Sequence, residues 1–339
     1  VLKAEYLSPF RQIDVWDAGS PGQITFRAAD AGLAHLGHII ENEAITAALT
    51  TRLSQLGNVS CFAGDSIETF ESDHDGISIV LASKQNINAK LLVGADGTES
   101  RVRSLADISV EKNPYNHQAI VATVSTELSH RETARQRFLD TGPLAFLPLQ
   151  DGRSSIVWSC SPQRFDELNG LDDAAFSAAL TDAFENRLGT ITLASSRTSF
   201  PLIKQHANQY IAPRIGLVGD AAHTIHPLAG LGANLGFADA AALAEVIDNA
   251  RHAGKDIGIR PVLRRYERWR RGENTVTAKT MDVFYHTFGT SRPGVQSLRG
   301  AGLNLVNKTS LAKDFFMQYA TGLRGDLPKM AQKGPICSK

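Results

Sequence analysis

GLVGDAAHTIHPLAGLGANLGFADAA, residues 216–241, is the stretch on which the fold turns. Its opening run, continued back to Arg214, is apolar without alternation and ends in Gly219 and Asp220, the pattern of a buried strand that runs into a loop. Open α/β sheets bind ligands at the carboxyl ends of such strands. A glycine there admits a ligand to the backbone, and an aspartate offers two acceptor oxygens suited to the vicinal hydroxyls of a sugar or ribityl chain. Further on, Pro227, Gly230 and Gly232 stand just before a helical run, so free backbone N–H groups favour negative charge at that point. Taken alone, the stretch reads equally well as a tight strand–loop–helix connection whose Asp220 is only a turn or cap residue.

The pattern of apolar strand, Gly and Asp occurs once more, as LLVGADG at 91–97, before a polar helix start carrying Arg101 and Arg103. Gly230, Gly232 and Gly236 are spaced G-x-G-x-x-x-G, one residue too long for the dinucleotide fingerprint and with no strand immediately before it. None of the 28 glycines forms a G-x-G-x-x-G. Outward from these two units, residues 13–27 predict a hairpin around a Ser-Pro-Gly turn, and 43–56 an amphipathic helix stopped by Gly57. Runs at 59–62, 65–70 and 77–82 predict a small antiparallel meander. Strands are expected at 117–126, 134–139, 144–149, 153–160 and 191–200, with a helix over 172–187. Helices are also expected over 238–250, 262–279 and 298–319.

Composition narrows the function. In 339 residues, 35 Lys+Arg balance 35 Asp+Glu, which leaves no excess of positive charge to release phosphate counterions and argues against a nucleic-acid partner. Cys61, Cys160 and Cys337 have no CxxC spacing, which argues against a disulfide framework and a zinc site. No apolar run approaches the roughly 18 residues of a membrane span, and the opening Val-Leu-Lys-Ala-Glu lacks the shape of a signal peptide. A cytoplasmic protein is the expectation, with peripheral membrane docking as a variant of it. No Ser-His-Asp arrangement, paired-carboxylate site or metal-ligand cluster stands out, and no metal is expected. His223 and His226, three apart, are read as loop-ordering or ligand-contacting residues, because no third ligand sits at helical spacing. Trp158, Phe146 and Phe200 read as core of the middle sheet before they read as the floor of an aromatic pocket.

GADGTESRVR (94–103) together with GDAAHTIHPLAGLGANLGFADAA (219–241) resembles the two downstream signatures of the flavoprotein aromatic hydroxylases, the p-hydroxybenzoate hydroxylase-like family. With HLGHIIEN (35–42) the wording is similar to the branch of ubiquinone-biosynthesis hydroxylases that act on polyprenylphenols. The resemblance covers about residues 10 to 325. It implies FAD as cofactor and NAD(P)H as co-substrate, with O2 activated as a flavin hydroperoxide that an electron-rich phenol ring attacks. It implies cofactor contacts at Gly219, Asp220, Pro227, Gly230, Gly232, Ala233 and Asn234. Asp96 and Gly97 would serve the flavin and the approaching nicotinamide, with Arg101 or Arg103 near phosphate. Glu41 and Asn42 match the position where the family touches the pyrophosphate, and helix capping accounts for them equally.

The resemblance further implies a mixed α/β (α+β) fold: an FAD-binding Rossmann-like domain with an inserted, mainly antiparallel substrate sheet and C-terminal helices. The expected boundaries are 36–112 and 211–255 for the FAD domain, 10–35 and 113–210 for the substrate-binding sheet domain, and 256–325 for the helical region. The family's opening strand, G-x-G-x-x-G and helix are not in this sequence. The expectation is a flavin domain lacking its first βαβ unit, in a truncated chain that binds FAD poorly or not at all. Leu231 stands where the family usually carries Gln, removing an amide from beside the flavin. The expected substrate is a prenylated phenol. The alternatives are a hydroxylase of small soluble phenols and a non-catalytic scaffold subunit of a biosynthetic complex. The apolar residues of 298–323 read first as packing onto the flavin domain, with a homo-oligomer or peripheral membrane contact as the alternatives.

Overall fold

The computed structural model describes residues 2–225, 230–288 and 325–332. The chain begins with β1 (Ser8–Phe10) and the hairpin β2 (Gln12–Asp17) and β3 (Gln23–Arg27), where the alternating pattern predicts it. β4 (Gly37–Ile39) pairs back onto β1, and α1 (Asn42–Ser54) follows. The apolar period of 43–56 does report a helix, but no residue of α1 is buried, and Leu49 and Leu53 are exposed. The meander is β5 (Ile67–Ser72), β6 (Ile77–Leu81) and β7 (Asn86–Ala89), so the run at 59–62 is not one of its strands. Its first turn is closed by Asp73, whose Oδ1 accepts from the amides of Asp75 and Gly76.

β8 (Leu92–Gly94) and α2 (Arg101–Leu105) come next, and then the long β9 (Val110–Thr126). β10 (Thr133–Leu139), β11 (Gly142–Pro148) and β12 (Ser154–Cys160) match their expected positions closely. Two helices, α3 (Pro162–Asn169) and α4 (Asp173–Ala183), precede β13 (Ile191–Leu193) and β14 (Thr198–Ala207). Then come β15 (Ile211–Ala212), β16 (Ile215–Leu217), β17 (His223–Thr224), α5 (Gly232–His252) and α6 (Arg260–Phe288). The helix expected over 298–319 lies outside the described residues, as do His226 and Pro227.

Contacts divide the chain into two compact units. The first holds residues 1–60, 116–202 and 284–321. Its sheet runs β9-β12-β11-β10-β2-β3, with β13 also on β9 and β10 parallel to β2. Alternate residues of β11 and β12 are buried, as expected of a sheet covered on one face. Trp158, Phe146 and Ile156 from that face pack with Phe176, Leu180 and Phe184, so Trp158 and Phe146 are core residues. Phe200, by contrast, is 43% exposed.

The second unit holds 61–115, 203–283 and 322–339. It contains the meander, a three-stranded sheet in the order β15-β16-β8, and the helices α2, α5 and most of α6. Its core joins Ile77 and Ile79 of the meander to Leu217 of β16, Leu243 of α5, and Leu263 and Tyr266 of α6. Arg214, buried and at φ +57°, ties the meander to β16. Its guanidinium donates to the carbonyls of Asp73, His74 and Lys90 and pairs with Asp256 at 2.8 Å.

Candidate functional site

β8 and β16, the two copies of the strand-Gly-Asp pattern, lie side by side in parallel, with Leu92 opposite Ile215 and Gly94 opposite Leu217. Both Gly-Asp turns therefore leave the same carboxyl edge of one sheet, which is where open α/β sheets bind ligands. Close packing sets the glycines. A Cβ on Gly94 would lie 2.8 Å from Leu217 and 3.0 Å from Val102. After β16 the chain turns through Gly219, at φ +60°, into a single 3-10 turn over Gly219–Ala221. A Cβ on Gly236 would come within 3.2 Å of the Gly219 Cα. The last glycine of the G-x-G-x-x-x-G series is thus a packing glycine that lets α5 lie against the turn.

The two aspartates of the repeated pattern are used differently, although both are exposed. Asp96 is committed to the fold: Oδ1 accepts from Ser100 Oγ at 2.5 Å and Oδ2 from the Val102 amide at 3.0 Å. Ser100 in turn caps α2 through the Arg103 amide. Asp220 makes one side-chain bond among the described residues, a long 3.4 Å contact from Thr98 Oγ1. It caps nothing, so its carboxylate is available to a ligand. Gly97, at φ +80°, has no atom within 4 Å of where a Cβ would stand.

Arg103 is buried, and its two terminal nitrogens donate to Ala221 O and Thr98 O, both at 2.9 Å. It stitches the two turns together. Arg101 instead donates to Glu68 O.

α5 begins at Gly232 behind Leu231, and among the described residues no side chain caps its first amides. Gly230, at φ +61°, and Gly232 have open space where a Cβ would be, and Ala233 and Asn234 are exposed. Uncapped amides at the head of a 21-residue helix present partial positive charge. Leu231, in place of the family's Gln, is buried at 6% exposure, so an apolar side chain suits its surroundings. Glu41 belongs to the other unit, where it precedes α1 without making a side-chain cap bond.

Behind the turn lies a charged network that sequence reasoning missed. Asp239 on α5, fully buried, receives His223 Nε2 at 2.5 Å and the Gly219 amide at 3.1 Å on Oδ2. Arg270 Nε, at 2.8 Å, and Asn274 Nδ2, at 3.1 Å, donate to Oδ1. Burial, the largest single influence, pushes the Asp239 carboxyl up, but the hydrogen bonds and charges of His223 and Arg270 outweigh it and hold it below the ordinary carboxylate value. Asn274 also reaches Tyr210 Oη, which lies 2.8 Å from His206 Nε2. Burial above all, with the electrostatic influence of neighbours that include Arg271 and Lys204, pushes His206 down to about 4, so it is neutral near pH 7. Among the described residues no group of three or more His, Cys, Asp or Glu is arranged to hold a metal.

The family model described as "FAD binding domain" matches residues 34–270. The chain belongs to that family. It is 36% identical to the 3-demethoxyubiquinol 3-hydroxylase of Escherichia coli (strain K12), over 95% of this chain and 82% of that protein. It is 37% identical to the ubiquinone hydroxylase UbiL of Rhodospirillum rubrum, over 97% of this chain and 77% of that protein. Among solved structures it is similar in fold to the p-nitrophenol 4-monooxygenase PnpA of Pseudomonas putida DLL-E4, with a TM-score of 0.76, 18% identity, and coverage of 94% and 82% of the two chains. It is likewise similar to HpxO of Klebsiella pneumoniae, solved with FAD and uric acid, with a TM-score of 0.68, 15% identity, and coverage of 93% and 80%.

The residues at the carboxyl edge fit such a cofactor. A little-used carboxylate at Asp220 can accept from hydroxyls, Gly97, Gly230 and Gly232 leave room for close approach to the backbone, and a helix start offers free amides. His223 Nδ1, Thr224 Oγ1 and Gln205 Oε1, on the paired strands β17 and β14, are buried without a partner among the described residues. Buried polar atoms of this kind are ordinarily satisfied by a bound group or by water.

Proposed function

We propose that the chain is an FAD-dependent monooxygenase that hydroxylates the ring of a prenylated phenol in ubiquinone biosynthesis, with NAD(P)H as reductant and O2 as oxygen source. The observation that carries this reading is the identity of 36–37% to proteins named as ubiquinone-pathway hydroxylases, spread over nearly the whole chain. Bound FAD supplies the electron relay from NAD(P)H and the activation of O2. The protein's own residues bind and orient. Asp220 would hold hydroxyls of the cofactor, Gly230 and Gly232 would let a flat ring lie close to the main chain, and the amides of Gly232, Ala233 and Asn234 would stabilise negative charge developing on it. Asp96, Ser100 and Arg103 hold the two turns in register.

No helix among the described residues is long and apolar enough to cross a membrane.

The test is aerobic turnover of the purified chain, supplied with FAD and either nicotinamide, on a detergent-dispersed polyprenylphenol, read by mass spectrometry of the quinol. A product one oxygen atom heavier, formed with nicotinamide oxidation, is expected. Transfer to salicylate-sized phenols alone would sink the prenylated substrate. Tight FAD binding without turnover on any phenol would sink the catalytic reading in favour of a scaffold.

A further inference from the structure

We propose that Asp239 is a positioning residue for the cofactor: from inside α5 it clamps the Gly219–His223 turn and so fixes where the Asp220 carboxylate stands. The inference rests on reading Asp220 as a cofactor contact. Four donors converge on the Asp239 carboxylate, two on each oxygen. The partners on Oδ2 are Gly219, immediately before Asp220, and His223, three residues after it. One oxygen thus grips the turn on both sides of the exposed residue, while the other is held by Arg270 and Asn274 of α6.

Burial of the carboxylate, imidazole and guanidinium is nearly complete, with Asp239 at 0%, His223 at 2% and Arg270 at 2% exposure. Buried charge of this kind stabilises a fold less than well-packed apolar side chains would, so stability alone does not account for it. What the cluster secures is direction. Gly219 is at φ +60° and packs on Gly236; Arg103 holds Ala221 O on the far side of Asp220, and Asp239 supplies the acceptor for the Gly219 amide on the near side.

Asp239→Asn separates this role from general support. Arg270 carries donors only, so the new amide must keep its oxygen toward Arg270 and Asn274 and turn its NH2 toward His223 and Gly219. His223 can adapt by moving its proton to Nδ1 and accepting with Nε2. The Gly219 amide has no second form, and it loses its acceptor. Hydrogen exchange of the full chain, followed by mass spectrometry, should show amides of Gly219–Ala222 exchanging about tenfold faster, and FAD titrated by flavin fluorescence should bind about tenfold more weakly.

Asp256→Asn is the matched control, an isosteric change at the unit's Arg214 pair; it should lower the unfolding temperature while leaving both readouts within about twofold. His223→Leu keeps the Gly219 bond and should speed exchange only over Ala221–Thr224, which serves if Asp239→Asn does not fold. Unchanged exchange at Gly219–Ala222 in Asp239→Asn, the same increase in Asp256→Asn, or faster exchange with undiminished FAD affinity would each overturn the proposal. If the unsubstituted chain takes up no FAD, exchange at Gly219–Ala222 alone decides whether the clamp exists.

Discussion

Substituting Ala for Asp96 and for Asp220, one at a time, should give opposite results, although the two residues occupy the same place in a repeated pattern and both are exposed. Asp96→Ala removes acceptors for Ser100 Oγ and for the Val102 amide in the first turn of α2. Losing a helix-start acceptor and a charge-assisted side-chain bond costs about 1–2 kcal/mol together. That corresponds to a fall of roughly 2–6 °C in unfolding temperature for a unit of this size. Asp220→Ala removes one exposed contact of 3.4 Å and should stay within about 0.5 kcal/mol of the parent. Its cost falls on binding: one charge-assisted bond to a cofactor hydroxyl is about 1.5–3 kcal/mol, or roughly 10- to 150-fold in FAD dissociation constant. Scanning fluorimetry without cofactor and flavin-fluorescence titration read the two effects separately. If Asp220→Ala unfolds as early as Asp96→Ala and binds FAD like the parent, then Asp220 is a turn residue and the site reading built on it is wrong.

Gly272, inside α6 with no atom within 4 Å of a Cβ position, should accept Ala with a gain of up to about 1 kcal/mol in urea unfolding, and a loss there would mean the helix face is covered. The Asp256 carboxyl, held from 3.8 down to about 2 chiefly by its hydrogen bond from Arg214, contributes stability that is full above its unfolded value and lost as pH falls through the folded one. Urea midpoints of the parent should therefore drop between about pH 4 and pH 2, and Asp256→Asn should flatten part of that slope. Burial pushes the Cys160 thiol up to about 12, whereas Cys61 is exposed. In a Cys337→Ser chain, a thiol reagent at neutral pH should label Cys61 at once and Cys160 only after denaturation.

Elements with strong local signals were legible in the sequence, and those made by their neighbours were not. β8 and β16 read as buried strands because both runs are apolar without alternation; β16 is buried throughout, whereas Val93 of β8 is exposed, and the two pair in parallel. β7, Asn-Ile-Asn-Ala, has poor strand propensity and is a strand because it completes the ladder of β6. The run at 59–62 has the better composition but no partner strand, and Val59 and Phe62 are exposed. Periodicity found α1 but could not say what covers it, since period reports geometry and not burial. The site divides the same way. Strand and turn chemistry singled out Asp96 and Asp220 alike, and only the hydrogen bonds of the folded chain separate an Asp96 tied to Ser100 and Val102 from an Asp220 with one long contact.

The missed network did leave a trace, one that looks like a defect when each helix is read separately. On α5 the buried positions are Asp239, Ala242, Leu243, Val246 and Ala250, an apolar stripe at helical spacing with a carboxylate at its head. On α6 the buried positions include Val262, Leu263, Tyr266, Arg270, Asn274 and Ala278, a second stripe interrupted by a guanidinium and an amide. Asp and Arg almost never occupy fully buried positions unless paired, and opposite charges in the stripes of consecutive helices can satisfy each other. That rule predicts the Asp239–Arg270 pair without coordinates. It does not predict the Gly219 amide as the third partner, because that contact depends on the 20-residue return of the chain from β16 into α5 and on two glycines that let helix and turn meet. Replacing Asp239 and Arg270 together by Leu and Met would test the distinction: a chain that gains stability yet loses FAD affinity would show that the charges serve the turn and not the core.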